Sequence, residues 1–282
     1  MNNTLKIALC VKQVPDTTDI RWTENNTMQR EGVESIINPY DVYAAELALK
    51  IKESQKDVEI TAFTMGPMQA QEMLRKLISI GIDNGVLISD RKFAGADTYA
   101  TGKTIAAAIK TVMPDFDIIV CGQFAVDVDT AQTGPSIAGN LNIPQVTYVK
   151  SFDKIDKKSI VLKRELDDGI ENVKVTYPAL ICVLQDTFEP RRPLINGVKS
   201  AAQKEIKVLS MEDIGLDVEG VGLKGSPTYV SKAYRNLSNH NAQKYELPVD
   251  ESVSLLKNKI KEYCHSEVES ESPIFQKEAD DA

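Results

Sequence analysis

The chain has 282 residues, of which 26 % are charged and 42 % hydrophobic, and a formal net charge of -8. That is room for one large α/β domain, or one domain plus an appendage, of ordinary globular composition. The acidic balance argues against a general nucleic-acid binder, and no apolar run approaches the roughly 20 residues of a membrane helix.

The opening Met-Asn-Asn-Thr-Leu-Lys has no secretory apolar stretch behind its charge. Cys10, Cys121, Cys182 and Cys264 are far apart and form no CxxC. Both features fit a cytoplasmic chain with reduced thiols, most of them core residues. The two histidines, His240 and His265, come late, so a histidine-based triad has little to build with.

In chain order, Leu5–Val11 is an apolar first strand that ends in Lys12-Gln-Val-Pro-Asp-Thr-Thr, a polar turn. Residues 19–35 are polar and are expected to make an excursion, a hairpin around Glu24-Asn-Asn-Thr, with Trp22 as a packing anchor. Asn38-Pro-Tyr-Asp starts a helix: Asn38 can cap, Pro39 suits the first helical position and Asp41 sits where the dipole favours an acid. Tyr43, Leu47 and Ile51 then give that helix one buried face. Val58–Phe63 is the next strand and runs into Thr64-Met-Gly-Pro. Gly66 allows close backbone approach there, and Pro67 opens a helix lined by Met73, Leu77 and Ile80 and stopped by Gly81. Gly85–Ser89 is a third strand, Thr98–Val112 an alanine-rich helix and Asp117–Cys121 a fourth strand.

The stretch Val120–Ser136 concentrates the chemistry. A buried β-branched run leads into two acids, hydroxyls, an amide and a glycine, and a helix is expected over 131–141. Doubly wound sheets place ligands beyond the carboxyl ends of strands, at helix N-termini that favour anions such as phosphate. The turn therefore either holds the phosphates and sugar of a nucleotide or is an ordinary capped loop. The pair Asp127 and Asp129 fails as an EF-hand start, because Gln132 stands where glycine is needed and Ala138 where glutamate is needed; no metal is expected. The alternation of strands and helices predicts one mostly parallel sheet, with the turns at 12–18, 64–67 and 122–130 converging on one edge.

Further on, Gln145–Val149 is a strand, Ser159–Leu166 and Ile170–Val175 form a hairpin around Asp167-Asp-Gly, and Ala179–Leu184 returns to the core. Residues 186–200 read as a proline-stiffened loop carrying Arg191, Arg192 and an exposed Leu194. That loop is either solvated or a docking loop with an apolar anchor beside positive charge. The G-x-G-x-x-G match at Gly220, Gly222 and Gly225 is rejected as a dinucleotide fingerprint, for no strand precedes it and no helix follows. Residues from 211 look like an extended arm that needs a partner surface. A terminal helix is expected over 250–264, with Val253, Leu256, Ile260 and Tyr263 on one face.

Taken in order, Cys10-Val-Lys-Gln-Val-Pro-Asp-Thr, Asn38-Pro-Tyr-Asp, Thr64-Met-Gly-Pro, Ala125-Val-Asp-Val-Asp-Thr-Ala-Gln-Thr-Gly-Pro and Glu189-Pro-Arg resemble the small (beta) subunit of electron transfer flavoproteins over residues 5–210. The resemblance implies a Rossmann-like α/β fold akin to the adenine nucleotide α-hydrolases, as a nucleotide-binding domain over 1–210. It also implies an arm over 211–282 that clasps a large (alpha) subunit carrying FAD. It implies an adenine nucleotide at Cys10, Asn38, Pro39, Tyr40, Asp41, Met65, Gly66, Ala125, Val126, Asp127, Val128, Asp129, Thr130, Ala131, Gln132, Thr133, Gly134, Pro135 and Ser136. Composition alone would leave Cys10 in the core.

Within the family the nucleotide is AMP in housekeeping members. In electron-bifurcating members it belongs to a second FAD, which takes a hydride from NADH. Residues 11–17 and 127–132 resemble the bifurcating branch. Such a member passes electrons to ferredoxin or flavodoxin and, through the alpha-subunit FAD, to a flavin-dependent dehydrogenase of acyl-CoA or 2-hydroxy-acid type. The docking loop departs from the family pattern after Glu189-Pro-Arg, and Leu194 matches the family's anchoring leucine with one residue missing. Two other classes stand beside this reading. One is an ATP-hydrolysing or adenylylating enzyme on the same fold, disfavoured by the lack of a P-loop. The other is a nucleotide-sensing protein without redox work.

Overall fold

The structure, a computed structural model, describes residues 4–16, 35–231 and 243–269. The hairpin expected around Glu24, together with Trp22, lies outside the described residues. The chain divides into two compact units, Met1–Ala233 and Tyr234–Ala282.

The first unit is built on a nine-stranded sheet. In chain order its elements are β1 (Leu5–Cys10), β2 (Gln13–Pro15), β3 (Ser35–Ile37), α1 (Pro39–Ser54), β4 (Val58–Met65), α2 (Gln71–Ser79), β5 (Asn84–Ile88), α3 (Thr98–Val112), β6 (Ile118–Gly122), α4 (Thr133–Leu141), β7 (Gln145–Ile155), β8 (Ser159–Leu166), β9 (Gly169–Thr176), β10 (Ala179–Val183), α5 (Ile195–Gln203) and β11 (Lys207–Leu209). The sheet order is β11-β5-β4-β1-β6-β10-β7-β8-β9. Pairing is parallel from β11 to β7 and antiparallel through β8 and β9. A separate antiparallel pair, β2 with β3, brackets the excursion.

The apolar run of β1 is continuous because the strand is covered on both faces. Ile7, Leu9 and Val11 enter one core with Leu47 and Ile51 of α1 and Leu74 and Leu77 of α2. Ala8 and Cys10 enter the other with Ile105 and Ile109 of α3 and Ile137 and Leu141 of α4. Helices on both faces of a mostly parallel sheet confirm the expected α/β architecture.

Four differences from the expectations have physical causes. α4 starts at Thr133 rather than 131, because Asp129 and Ala131 take left-handed backbone angles (φ 48° and 56°) and hold the chain in a turn. β7 runs on to Ile155, since the polar half of that strand pairs with β8 rather than with the core. The loop expected over 186–200 ends at Leu194, and α5 follows. Residues 211–228, grouped with the arm in the sequence, bury Met211, Ile214 and Val221 in the second core, and Asp97 accepts from the Thr228 backbone N–H and hydroxyl.

In the second unit one helix, α6 (Val249–Glu269), is described. Val253, Leu256, Ile260 and Tyr263 on it are exposed.

Candidate functional site

The three strand exits meet because of register. Cys10 at the end of β1 pairs with Phe63 of β4 on one side and with Cys121 of β6 on the other. The chain therefore leaves the sheet at Val11, Gly66 and Gln123 on one edge, as the topology predicted. The first turn of α1 sits over two of these exits, and its polar residues tie them together.

Asp41 is buried, and its carboxylate accepts the backbone N–H of Lys12 (2.7 Å) and of Gly122 (2.9 Å). Burial pushes its pKa up to about 7, against the opposing pull of those two N–H groups. Gly122 has to be glycine, since a Cβ there would lie 2.5 Å from Asp41 Oδ1 and 2.7 Å from Tyr40 Cβ. Asn38 does not cap the helix with its side chain. Its amide instead reaches across to the next loop, donating to Phe124 O (2.8 Å) and accepting from Val126 N (3.3 Å). Pro39 takes the first helical position as expected.

The loop after β6 is a tight turn. Ala125 O accepts from Val128 N (3.2 Å) and from Asp129 N (2.8 Å). Its two acids have different surroundings. Asp129 is exposed, whereas the Asp127 side chain is only 3 % exposed, with Oδ1 held by Lys12 Nζ at 2.6 Å. Asp127 Oδ2 is buried and has no hydrogen-bond partner among the described residues. A buried carboxylate oxygen without a donor is costly, and such an acceptor suits a donor from outside the chain. Val126 and Val128, with Thr130, lie exposed on the turn. Beside it the rings of Tyr40, Phe124 and Tyr148 meet edge to face, at 5.3 and 6.0 Å. Gln123 accepts from Tyr148 N (2.7 Å).

The remaining expected site residues fall into three groups. Met65 ends β4 and Gly66 follows it. Among the described residues a Cβ on Gly66 would touch only Ala70 Cβ, at 3.5 Å. Thr133, Gly134, Pro135 and Ser136 form the first turn of α4. Gly134 is a packing glycine, since a Cβ would lie 2.5 Å from Cys182 Sγ and 2.9 Å from Cys121 Sγ. Gln132, Pro135 and Ser136, with Thr98 and Tyr99 of α3, line a shallow depression between the starts of the two helices. Cys10 contributes a strand end, while its thiol is buried in the second core, where burial pushes its pKa up.

Lys12 and Gln123 were not singled out from the sequence. The available signal was positional: Gln123 directly follows β6 and Lys12 stands two residues beyond β1, and the sheet sets these two strands side by side.

The residues of the expected docking loop separate as well. Leu194 is 77 % exposed and Arg192 is exposed, as expected. Arg191 is not a free charge, for its guanidinium is bound to Glu46 and Glu53 of α1.

Residues 25–214 match the model of the electron transfer flavoprotein domain. The chain belongs to the electron transfer flavoprotein family. Family relatives include the electron transfer flavoprotein subunit beta of Megasphaera elsdenii, 42 % identical over 236 residues, which are 82 % of this chain and 87 % of that one. The caffeyl-CoA reductase-Etf complex subunit CarD of Acetobacterium woodii is 44 % identical over 231 residues, again 82 % and 87 %. Protein FixA of Azotobacter vinelandii is 42 % identical over 232 residues, 80 % and 82 %. The family match covers α1 and the loops after β4 and β6, and thus most of the expected site residues. No described helix is long and apolar enough to cross a membrane, and no cluster of ligating side chains suits a metal among the described residues.

Proposed function

We propose that this chain is the beta subunit of a heterodimeric electron transfer flavoprotein and holds an adenine nucleotide at the joint exit of β1, β4 and β6. The observation that carries the reading is Asp127. Its carboxylate is held by Lys12 and keeps one buried oxygen without a hydrogen-bond partner among the described residues, an acceptor that a ligand donor would satisfy. Backbone N–H groups of the 125–131 turn, other than those of Val126, Val128 and Asp129 that are bonded within the chain, and those at the start of α4 suit pyrophosphate. Gly66 leaves room for close approach, and Asn38 and Asp41 fix the loops without facing outward themselves. The residues present therefore fit a nucleotide.

The favoured nucleotide is FAD, in line with the resemblance of residues 11–17 and 127–132 to the bifurcating branch. Such a flavin supplies exchange between a two-electron donor, NADH, and one-electron acceptors. The protein's own part is to bind, orient and exclude water. The relatives named for CoA-ester reductases, CarD and the acryloyl-CoA reductase electron transfer subunit gamma of Anaerotignum propionicum, support an acyl-CoA dehydrogenase as partner, with ferredoxin or flavodoxin as the low-potential acceptor in the cytoplasm.

The test is to purify the chain with its alpha subunit and release the bound cofactors. Two flavins per heterodimer are expected. One flavin plus AMP would move the protein to the non-bifurcating branch, and no nucleotide on this subunit would overturn the reading.

A further inference from the structure

The segment that leads from β10 to the exposed Leu194 is fastened along α1 at four points. Asp186 Oδ1 accepts from the Tyr43 hydroxyl at 2.8 Å. The Phe188 ring lies under Lys50 Nζ, 5.4 Å from its centroid. Arg191 forms a fork on Glu46, with Nη2 to Oε1 at 2.8 Å and Nε to Oε2 at 2.9 Å, and the Arg191 backbone N–H adds a third bond at 3.2 Å. Its Nη1 reaches Glu53 at 2.6 Å. The Glu46 side chain is only 5 % exposed. Burial alone would push that carboxyl up, but hydrogen bonds and charge from Arg191 outweigh it and hold the pKa below the ordinary glutamate value. A planar fork on a buried carboxylate fixes geometry as well as charge.

The far side of the segment is fixed too. α5 crosses α2 so closely that a Cβ on Gly197 would lie 2.1 Å from Ser79 O. Arg75 of α2 donates to Ala201 O (2.6 Å) and Lys204 O (3.0 Å) at the end of α5. Between these two fastenings the chain presents Leu194, Ile195 and Val198, 77, 78 and 50 % exposed.

We infer that Arg191 is a positioning residue: clamped on Glu46 and Glu53 of α1, it holds 186–194 in one shape so that Leu194, Ile195 and Val198 meet a partner dehydrogenase as a fixed patch. This rests on the docking reading of Leu194. A pre-organised patch loses less freedom on binding, so releasing the clamp weakens the encounter and leaves the chemistry alone.

The test uses the heterodimer with NADH as donor, a flavin-dependent acyl-CoA dehydrogenase as acceptor, and a dye that needs no docking. Arg191→Ala should raise the KM for the dehydrogenase roughly tenfold, with kcat at saturation and dye reduction within about twofold of wild type. Hydrogen exchange of amides 186–195 should quicken. Arg191→Lys, which keeps charge without the fork, should fall between. Tyr43→Phe releases one outer fastening without exposing a buried charge, and should shift KM the same way by less, so the inference stays testable if Arg191→Ala folds poorly. Arg191→Ala combined with Leu194→Ala should cost less than the sum of the two, because both act on one patch. Full additivity would mean that Arg191 touches the partner itself and would overturn the positioning role. A KM unchanged in Arg191→Ala but raised in Leu194→Ala would overturn the inference and leave the docking reading intact. If Leu194→Ala were silent as well, the docking reading would fail and this inference with it.

Discussion

Gly66 and Gly134 both belong to the expected nucleotide site, and the structure gives them different work. A Cβ added at Gly134 collides with two sulfurs, at 2.5 and 2.9 Å, both on rigid buried strands. Overpacking costs about 1–3 kcal/mol, and two contacts this short put Gly134 at about 2–3 kcal/mol, of which helix propensity returns about 1 kcal/mol and leaves about 1–2 kcal/mol. At about 2–4 °C per kcal/mol for a chain of this size, Gly134→Ala should lower Tm by roughly 2–8 °C. A Cβ at Gly66 meets one methyl at an ordinary 3.5 Å, and the backbone needs no left-handed angle. Gly66→Ala should be neutral, or stabilise by about 0.4–1 kcal/mol through the unfolded chain. Gly66→Val places bulk at the strand exit, where the nucleotide's backbone contacts are expected. The assay measures Tm by calorimetry and bound nucleotide after acid release from the purified heterodimer. Gly66→Val should keep its Tm when both proteins are stripped of nucleotide, yet retain at least tenfold less nucleotide, while the alpha-subunit flavin stays. A Gly66→Val protein with full nucleotide content would refute the cleft at β4. A Gly134→Ala protein of unchanged Tm would refute the packing argument.

Other outcomes follow from the same network. Asp127→Ala removes the open acceptor and should lower nucleotide retention about tenfold, read as the dissociation constant of the stripped protein, with little change in Tm of that stripped form. Asn38→Ala strands Phe124 O and Val126 N and should cost about 1–3 kcal/mol of stability in chemical denaturation; a loss under about 0.5 kcal/mol would show that the turn holds itself. Asp41 gives a pH signature. Its folded pKa of about 7 lies above the ordinary 3.8, so folding favours the protonated form. That contribution is fully present below 3.8 and is lost as pH rises through 7. The stability deficit of Asp41→Asn relative to wild type should therefore be largest near pH 4 and shrink by pH 8, and a deficit flat across that range would contradict the assignment.

The architecture was legible because β1, β4 and β6 are short β-branched or apolar runs spaced by helices of ordinary length, and Thr98–Val112 falls where its pattern places it. The hairpin at Asp167-Asp-Gly was equally plain from its turn residues and alternation. The meeting of the three strand exits was legible as positions, since topology alone brings them together. Side-chain roles were less so. An asparagine before a proline reads as a cap, and nothing local reveals that its amide is used 86 positions away. Arg191 reads as a surface charge for the same reason, since its partners lie 138 and 145 residues earlier. α5 was hidden by the prolines and arginines before it and by Gly197, which lowers helix propensity but admits the crossing over Ser79.

The 16 residues of α1, about 24 Å of helix, serve two customers. The residues at its start tie the exits of β1 and β6 together, and its outer flank carries Tyr43, Glu46, Lys50 and Glu53 beneath the loop. Anyone wishing to retarget the protein by transplanting a foreign loop would have to bring matching residues on that flank. A change made there for the sake of a new client would also tug on the end where we propose the nucleotide.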